Sequence, residues 1–369
     1  MKILHVLDGY HIGGIETQAY EIIKNLPKGN KSFLINTYEK ITSMQDKFFE
    51  LKKAKKIYKI KNIISQFSVI MMLDIFFFIK KNKINSIIIY PSNKKMIFTV
   101  LAARIAGVKN IFMSLQNTLY GKKYSTIIKT KIIFYIFNQL GVFFVPATKA
   151  IFNSFLDSNI LIKKFKIIYN SCDFAYINKI SAKYKKTYSK KKIKNIIMIS
   201  RLDSIKDQET LLKAFSKLNE PYWKLKIIGD GPKMNSLRKL ARELFLNEEE
   251  IFYGESKNVP LNLAHAEIFA FSTTEAEGFG KVLIESIAAE VPIIASDVSA
   301  CRETLFNGKG GLLVPPRDIN QWSKNLKELI NSKSRREEMA KQAFLLKDYF
   351  NSKNIANEWH QLLKKEFKV

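Results

Sequence analysis

Two glutamates, Glu277 and Glu285, stand eight residues apart across a glycine-rich turn, in the run STTEAEGFGKVLIESIAAEVPIIASD at 272–297. Gly278 and Gly280 interrupt regular structure, and KVLIESIAA, residues 281–289, places Val282, Leu283, Ile284, Ile287 and Ala288 where a helix would bury them. A helix starting there presents unpaired backbone N–H groups and the positive end of its dipole, which together hold a phosphate. Glu277 is then expected at the loop entrance, and Glu285 about two turns into the helix. A phosphate site flanked by two carboxylates suits a ligand carrying both a diphosphate and several hydroxyls, which is a nucleotide sugar.

A basic pair follows the apolar run at 195–200. Arg201 and Lys206 flank the loop that comes next, at the carboxyl edge where ligands gather in open α/β sheets. Arg grips two phosphate oxygens and Lys adds a point charge; the bland alternative is an exposed basic pair in a chain with 61 basic residues. Gly13 and Gly14 stand between a strand-like run and the helical pattern IETQAYEII, so either their amides approach a phosphate or sugar or they form a tight turn. Glu16 caps that helix or faces the ligand. The turn Gly229-Asp230-Gly231-Pro232 reads first as loop geometry, with a nucleotide contact secondary. His5, His11, His265 and His360 are scattered, and no carboxylate cluster has metal-type spacing, so no metal is expected.

The pattern E-G-F-G followed by E resembles the paired-glutamate, E-x7-E motif of the retaining family-four glycosyltransferases. Three further segments resemble that family in order: LDGYHIGGIETQAYEI at 7–22, ISRLDSIKDQETLLKAF at 199–215 and KLKIIGDGPKMNSLRKLA at 224–241. The resemblance implies an α/β, GT-B fold, with two Rossmann-like doubly wound domains facing across a cleft, acceptor in the first and donor in the second. It assigns Glu277 to hydroxyls of the transferred sugar, Glu285 to the ribose, and backbone contacts to Gly278, Phe279 and Gly280; Gly13 and Gly14 would also touch the donor. Arg201 and Lys206 would hold the diphosphate and, with Glu277, form the catalytic set. Many members carry a His near the donor sugar where this chain has Gln116-Asn117; an amide at Gln116 can still hydrogen-bond a hydroxyl. Gln116, Asn117 and Glu16 are thus expected sugar or acceptor contacts. The implied reaction is retaining and metal-independent, needs no cofactor, and has the departing diphosphate oxygen take the acceptor proton. A UDP-sugar donor, with a hexose or N-acetylhexosamine moved to a glycan or undecaprenyl-diphosphate-linked acceptor in bacterial surface polysaccharide assembly, fits the family.

The elements that must position these residues are legible as alternation. Strand-like runs at 2–7, 32–36, 86–90, 110–114 and 142–146 alternate with helical segments, and 195–200, 225–229, 251–253, 268–272, 292–295 and 311–314 repeat the pattern. Parallel strands with helical crossovers follow. At 369 residues with 47% hydrophobic content, two domains are expected. Their expected bounds are 1–178 and 195–350, joined by a linker region at 179–194 that holds eight lysines. The apolar stripe of the last segment, 351–369, forms a helix that in GT-B enzymes crosses back onto the N-terminal domain.

Two cysteines, Cys172 and Cys301, indicate neither a disulfide framework nor a zinc site. MKILHVLDGY reads as a buried strand and not a signal peptide, so a cytoplasmic protein is expected. The apolar window at 63–79 is 17 residues long and contains Asp74, which suits a buried helix better than a membrane span. Net charge is +28, and residues 1–175 hold 27 Lys and Arg against 9 Asp and Glu. Such a balance points to an anionic partner or to a lysine-rich codon bias; no nucleic-acid module is present. In GKKYSTIIKTKIIFYIF, Lys122, Lys123, Lys129 and Lys131 border Ile127, Ile128, Ile132, Ile133 and Phe134. That pattern suits peripheral docking on the inner face of an anionic plasma membrane, or a buried helix whose lysines reach water. A sugar-nucleotide epimerase or hydrolase of the same fold, and a silent basic accessory protein, are the rival functions.

Overall fold

The computed structural model describes residues 1–8, 13–37, 43–63, 68–91, 96–188, 192–256 and 258–365. It forms two compact units, Met1–Ser171 with Ser352–Val369, and Cys172–Asn351. The first contains strands β1 (Lys2–Leu7), β2 (Lys31–Asn36), β3 (Ile57–Asn62), β4 (Ser86–Ile89), β5 (Asn110–Leu115) and β6 (Phe143–Pro146), all parallel, in the order β3-β2-β1-β4-β5-β6. Its helices are α1 (Gly14–Asn25), α2 (Ser43–Lys53), α3 (Ser68–Asn82), α4 (Met96–Ile105), α5 (Tyr124–Gln139) and α6 (Lys149–Asp157). β3 lacks a clean alternation because Tyr58, Lys59 and Lys61 interrupt its apolar residues, and only pairing with β2 makes it a strand.

The second unit begins with helix α7 (Phe174–Tyr188) and strands β7 (Lys194–Ile199) and β8 (Trp223–Ile228), with α8 (Gln208–Ser216) between them. Then come α9 (Met234–Glu243), α10 (Glu248–Ile251), α11 (Val259–Ala264), β9 (Ile268–Phe271), α12 (Lys281–Ala288), β10 (Ile293–Ser296), α13 (Ser299–Thr304) and β11 (Leu312–Val314). Helices α14 (Ile319–Asn331), α15 (Lys333–Phe344) and α16 (Lys347–Phe350) complete it, and α17 (Ser352–Lys364) returns to the first unit. The parallel order is β11-β10-β9-β7-β8. Each sheet thus reverses winding direction beside its first strand, at β1/β4 and at β7/β9, and loops at those carboxyl ends form ligand crevices.

The apolar runs are buried on both faces, as parallel sheets require. Ile3, Leu7, Leu34 and Ile88 share a core with Ile22, Ile23, Phe48 and the α17 residues Ile355, Trp359, Leu362 and Leu363. In the second unit Ile196, Met198, Ile227, Ile268 and Ala270 pack with Leu211, Leu237, Trp322 and Leu326.

Three local expectations are corrected. Most of the expected linker at 179–194 is helix: α7 ends at Tyr188 and β7 starts at Lys194. Asn178 and Lys185 donate to the carbonyls of Ala288 (3.3 Å) and Glu290 (2.7 Å), with Ser181 donating to Ala289 at 3.5 Å. The lysine-rich segment is therefore structural, because its polar side chains satisfy the carbonyls left unpaired where α12 ends. The expected strand at 251–253 is the end of α10 plus an isolated bridge from Phe252 to Ile227. Finally, α3 is not wholly buried: Met71, Ile75, Phe78 and Ile79 face the core, but Ile70, Leu73 and Phe77 are 51%, 46% and 64% exposed.

Candidate active site

The loop after β7 is built by Asp203, which is buried. One of its carboxylate oxygens accepts from the amides of Ile205 (3.0 Å) and Lys206 (3.4 Å), an Asx turn, and the other accepts from Arg201 Nε. Gln208 donates to the Arg201 carbonyl at 3.0 Å and Asp207 caps α8 through the Thr210 amide. The Arg201 side chain is 70% exposed, so its ion pair with Asp203 is weak in water and the guanidinium remains open to an incoming phosphate.

Loop 201–207 lies against the segment after β9. The Thr274 amide donates to Ile205 O and the Asp207 amide to Ser272 O, with an antiparallel bridge between Lys206 and Thr273. This pairing carries Lys206 over the Phe271 ring, 4.5 Å from its centroid, and onto Glu277. The Lys206 ammonium donates to Glu277 Oε2, which also accepts from Thr273 Oγ1 at 3.2 Å. Glu277 Oε1 accepts from the amides of Gly278 (3.2 Å) and Gly280 (3.1 Å). Burial by itself would raise the Glu277 carboxyl; the Lys206 charge and these hydrogen bonds outweigh it, and the group is held below the usual carboxylate range. Both oxygens are thus used to hold the loop and the lysine.

Gly280 is the N-cap of α12 in a left-handed conformation, φ +74°. A Cβ there would also meet Leu283 and the Phe271 ring. Because α12 starts at Lys281, Glu285 sits about one turn into it, not two, and is half-buried. The Phe279 ring is buried edge-on to Phe350 and its carbonyl accepts from Thr304 Oγ1, so this residue holds the turn in the core. Glu275, outside the motif, accepts from the Ser299 amide at the start of α13.

The turn at 229–232 has a larger role than the sequence indicates. The Leu202 amide donates to Asp230 O (2.9 Å) and the Lys233 amide to Leu202 O (3.0 Å), so the turn braces the loop that presents Arg201. A Cβ on Gly229 would stand 1.8 Å from Ser200 O, and one on Gly231 2.4 Å from Leu202 O. Asp203, Thr273, Gly229 and Gly231 are the site-forming residues that the motif spacing left out; Asp two positions after Arg201 and the paired glycines were the readable signals.

In the first unit, Gly13 caps α1, and Glu16 folds back over it: a Cβ on Gly13 would lie 2.9 Å from Glu16 Oε2. These residues follow β1, at the β1/β4 reversal. Glu16 is buried, and burial, reinforced by the Asp8 charge and opposed by its own backbone amide, pushes its carboxyl up to about 7. The folded state therefore favours the protonated acid. That contribution is full below the ordinary value of 4.5 and lost as pH rises through about 7. Glu16→Gln, which removes the charge, is expected to stabilise the protein by about 3 kcal/mol at pH 8 and by little at pH 4; urea denaturation at the two pH values checks this, and an equal effect at both would contradict it. Gln116 bridges Ser114 Oγ (2.8 Å) and Asn170 (2.7 Å), while Asn117 is exposed. Among the described residues no group of three His, Cys, Asp or Glu side chains is placed to hold a metal ion, and Cys172 and Cys301 are both buried.

The structure therefore brings together Lys206, Glu277, the glycine turn and the α12 N-terminus, with Arg201 on the loop that carries Lys206 and Glu285 one turn into α12. Gly13, Gly14, Glu16, Gln116 and Asn117 belong to the other unit. Residues 180–346, which make up nearly all of the unit carrying that cluster, match the family described as Glycosyl transferases group 1. The family match is confined to this segment. Across the whole chain the fold is that of Anabaena HepE, solved in complex with UDP and glucose: TM-score 0.82 at 18% identity, covering 99% of this chain and 100% of that one. It is the GT-B glycosyltransferase fold. Among curated relatives, an exopolysaccharide phosphotransferase of Streptomyces coelicolor is 31% identical over 172 residues, 46% of this chain and 18% of that protein. A Campylobacter jejuni N-acetylgalactosaminyltransferase, named for a diphospho-undecaprenol-linked acceptor, is 31% identical over 197 residues, 53% of this chain and 52% of that protein. The chain spans about half or less of the length of these relatives.

Proposed function

We propose that this chain is a retaining, metal-independent glycosyltransferase that moves a hexose or N-acetylhexosamine from a UDP-sugar to a lipid-diphosphate-linked or glycan acceptor in surface polysaccharide assembly. The observation that carries this reading is the convergence of Lys206 and the α12 N-terminus on Glu277, with Arg201 exposed on the same loop as Lys206, in a segment that matches the glycosyl transferases group 1 family. The bond from the sugar anomeric carbon to the diphosphate breaks, and the acceptor oxygen bonds to the same face of that carbon. The diphosphate oxygen takes the acceptor proton as it leaves. Charge builds on the diphosphate, where Arg201, Lys206 and the helix N-terminus stabilise it more in the transition state than before it. Glu277 fixes Lys206 and the turn against the transferred sugar, and Glu285 holds the ribose. The acceptor binds the first unit, with Glu16, Gln116 and Asn117 as its contacts in this reading. The Campylobacter relative's name supports a lipid-diphosphate acceptor and, with it, a place at the inner face of the plasma membrane. Exposed Lys122, Lys123, Lys129 and Lys131 on or beside α5 support an anionic surface there.

A donor screen read by mass spectrometry, with the product's anomeric configuration determined by NMR, tests the reading. Transfer with retention that persists in EDTA is the expected result; an inverted product, or turnover abolished by EDTA and restored by Mg²⁺, would overturn the mechanism. Within it, Glu285→Ala is expected to weaken UDP binding about tenfold with the fold intact, because a ribose contact is the same in ground and transition states. Calorimetry with UDP checks this, and unchanged affinity would remove Glu285 from the ribose site.

A further inference from the structure

Helices α3, α4 and α5 lie on one face of the first sheet. Right-handed crossovers place β3→β4, β4→β5 and β5→β6 on the face opposite α1 and α2, and α4 packs between α3 and α5. A surface helix buries one stripe and presents a polar one; here the outer stripes are apolar as well. On α3, Ile70, Leu73 and Phe77 recur every three or four residues and are about half exposed or more. On α5, Phe134 and Phe137 are buried, whereas Tyr124, Ile128, Ile132 and Tyr135 form the outward stripe at 77%, 42%, 57% and 66% exposure. Ile105 at the end of α4 is 63% exposed. Scattered apolar side chains on a surface are ordinary, but outward apolar stripes on two helices of one face, with Ile105 exposed on the helix between them, are the mark of an interaction face.

We infer that this face is a monotopic docking surface for an anionic phospholipid bilayer, with α3 and α5 lying in the interface and their apolar stripes entering it. The inference rests on the lipid-linked acceptor proposed above and adds α3, whose outward stripe makes it a second contact. Charge decides the occupant. Lys80, Lys81 and Lys83 end α3, and Lys122, Lys123, Lys129 and Lys131 start and flank α5, all exposed, in a half-chain with 27 basic and 9 acidic residues. The charged side chain borne by α3 within its stripe, Asp74, is neutralised by Lys61 at 3.1 Å. A second copy of this chain would bring the same lysines face to face, whereas acidic headgroups neutralise them and Tyr rings settle at the headgroup level. Among the described residues no helix is long and apolar enough to cross a membrane, so contact is with one leaflet.

The test is co-sedimentation of the full chain with vesicles of phosphatidylcholine alone or with phosphatidylglycerol added. Wild-type protein is expected to pellet only with the anionic vesicles and to be released by high salt. Leu73→Glu with Phe77→Glu on α3, and separately Ile128→Glu with Ile132→Glu on α5, should each lower partitioning about tenfold or more. Pelleting equal on neutral vesicles, or α3 variants that pellet like wild type, would overturn the inference. So would vesicle-independent self-association abolished by the same substitutions, which would assign the face to a second copy. UDP-dependent thermal stabilisation, measured on every variant, separates the two readings. Its presence without vesicle binding removes the docking surface alone, and its absence beside intact vesicle binding removes the nucleotide-sugar reading alone.

Discussion

Lys206→Met is expected to destabilise the protein by about 3–5 kcal/mol and to lower kcat/KM at least about 1,000-fold. The stability loss follows from what the substitution leaves behind: Glu277, buried and held in its ionised form chiefly against its own desolvation by Lys206. Removing one partner of a buried pair strands the other charge, which costs far more than the pair itself contributes. The rate loss has a separate origin, because the same ammonium is the point charge proposed for the leaving diphosphate. The two effects can be parted. Lys206→Met with Glu277→Gln removes both charges while an amide oxygen still accepts from Gly278 and Gly280, so most of the stability should return and the activity should not. Urea denaturation of the single and double variants, beside steady-state kinetics, gives the coupling energy. A single variant as stable as wild type would mean the pair is not buried as described, and an active double variant would mean its charge is not used in transfer.

Gly229→Ala and Gly231→Ala should each cost more than about 3 kcal/mol and abolish UDP-dependent stabilisation. Their φ angles are +146° and +157°, and the added Cβ atoms would overlap the Ser200 and Leu202 carbonyl oxygens. Main-chain atoms at a strand end cannot swing aside as a side chain does, so β7 and β8 must separate or the Arg201 loop must move. Gly29→Ala is the control: φ is +91° but no atom lies within 4 Å of its Cβ, so the cost is the conformational term of about 1 kcal/mol. Thermal denaturation with and without UDP measures all three. Equal, small losses would show that the two loops are not in contact.

Most of the strand pattern was legible, because strands buried on both faces are written as continuous apolar runs and the helices between them carry their own period. β3 was not, since two lysines and a tyrosine break its run and pairing with β2 overrides them. The lysine-rich stretch read as a linker because composition records solvation, whereas the side chains of α7 cap carbonyls at and just after the end of α12, more than a hundred residues away in sequence. Likewise α3 read as a buried helix: hydropathy counts apolar residues without saying which face the sheet covers.

By itself the sequence determined the doubly wound architecture, and it named Arg201, Lys206, Glu277 and Glu285 through local spacing and through the family resemblance. Only the tertiary structure decided that Lys206 and Glu277, 71 positions apart, are one ion pair. It also decided that Glu277 is anchored by two amides of its own loop, and that the glycines after β8 are fixed by the loop after β7. The physical reason is the same in each case. Periodicity and turn chemistry act over a few residues and are written locally, whereas desolvation of a charge and the overlap of two backbones depend on what the fold brings within a few ångströms.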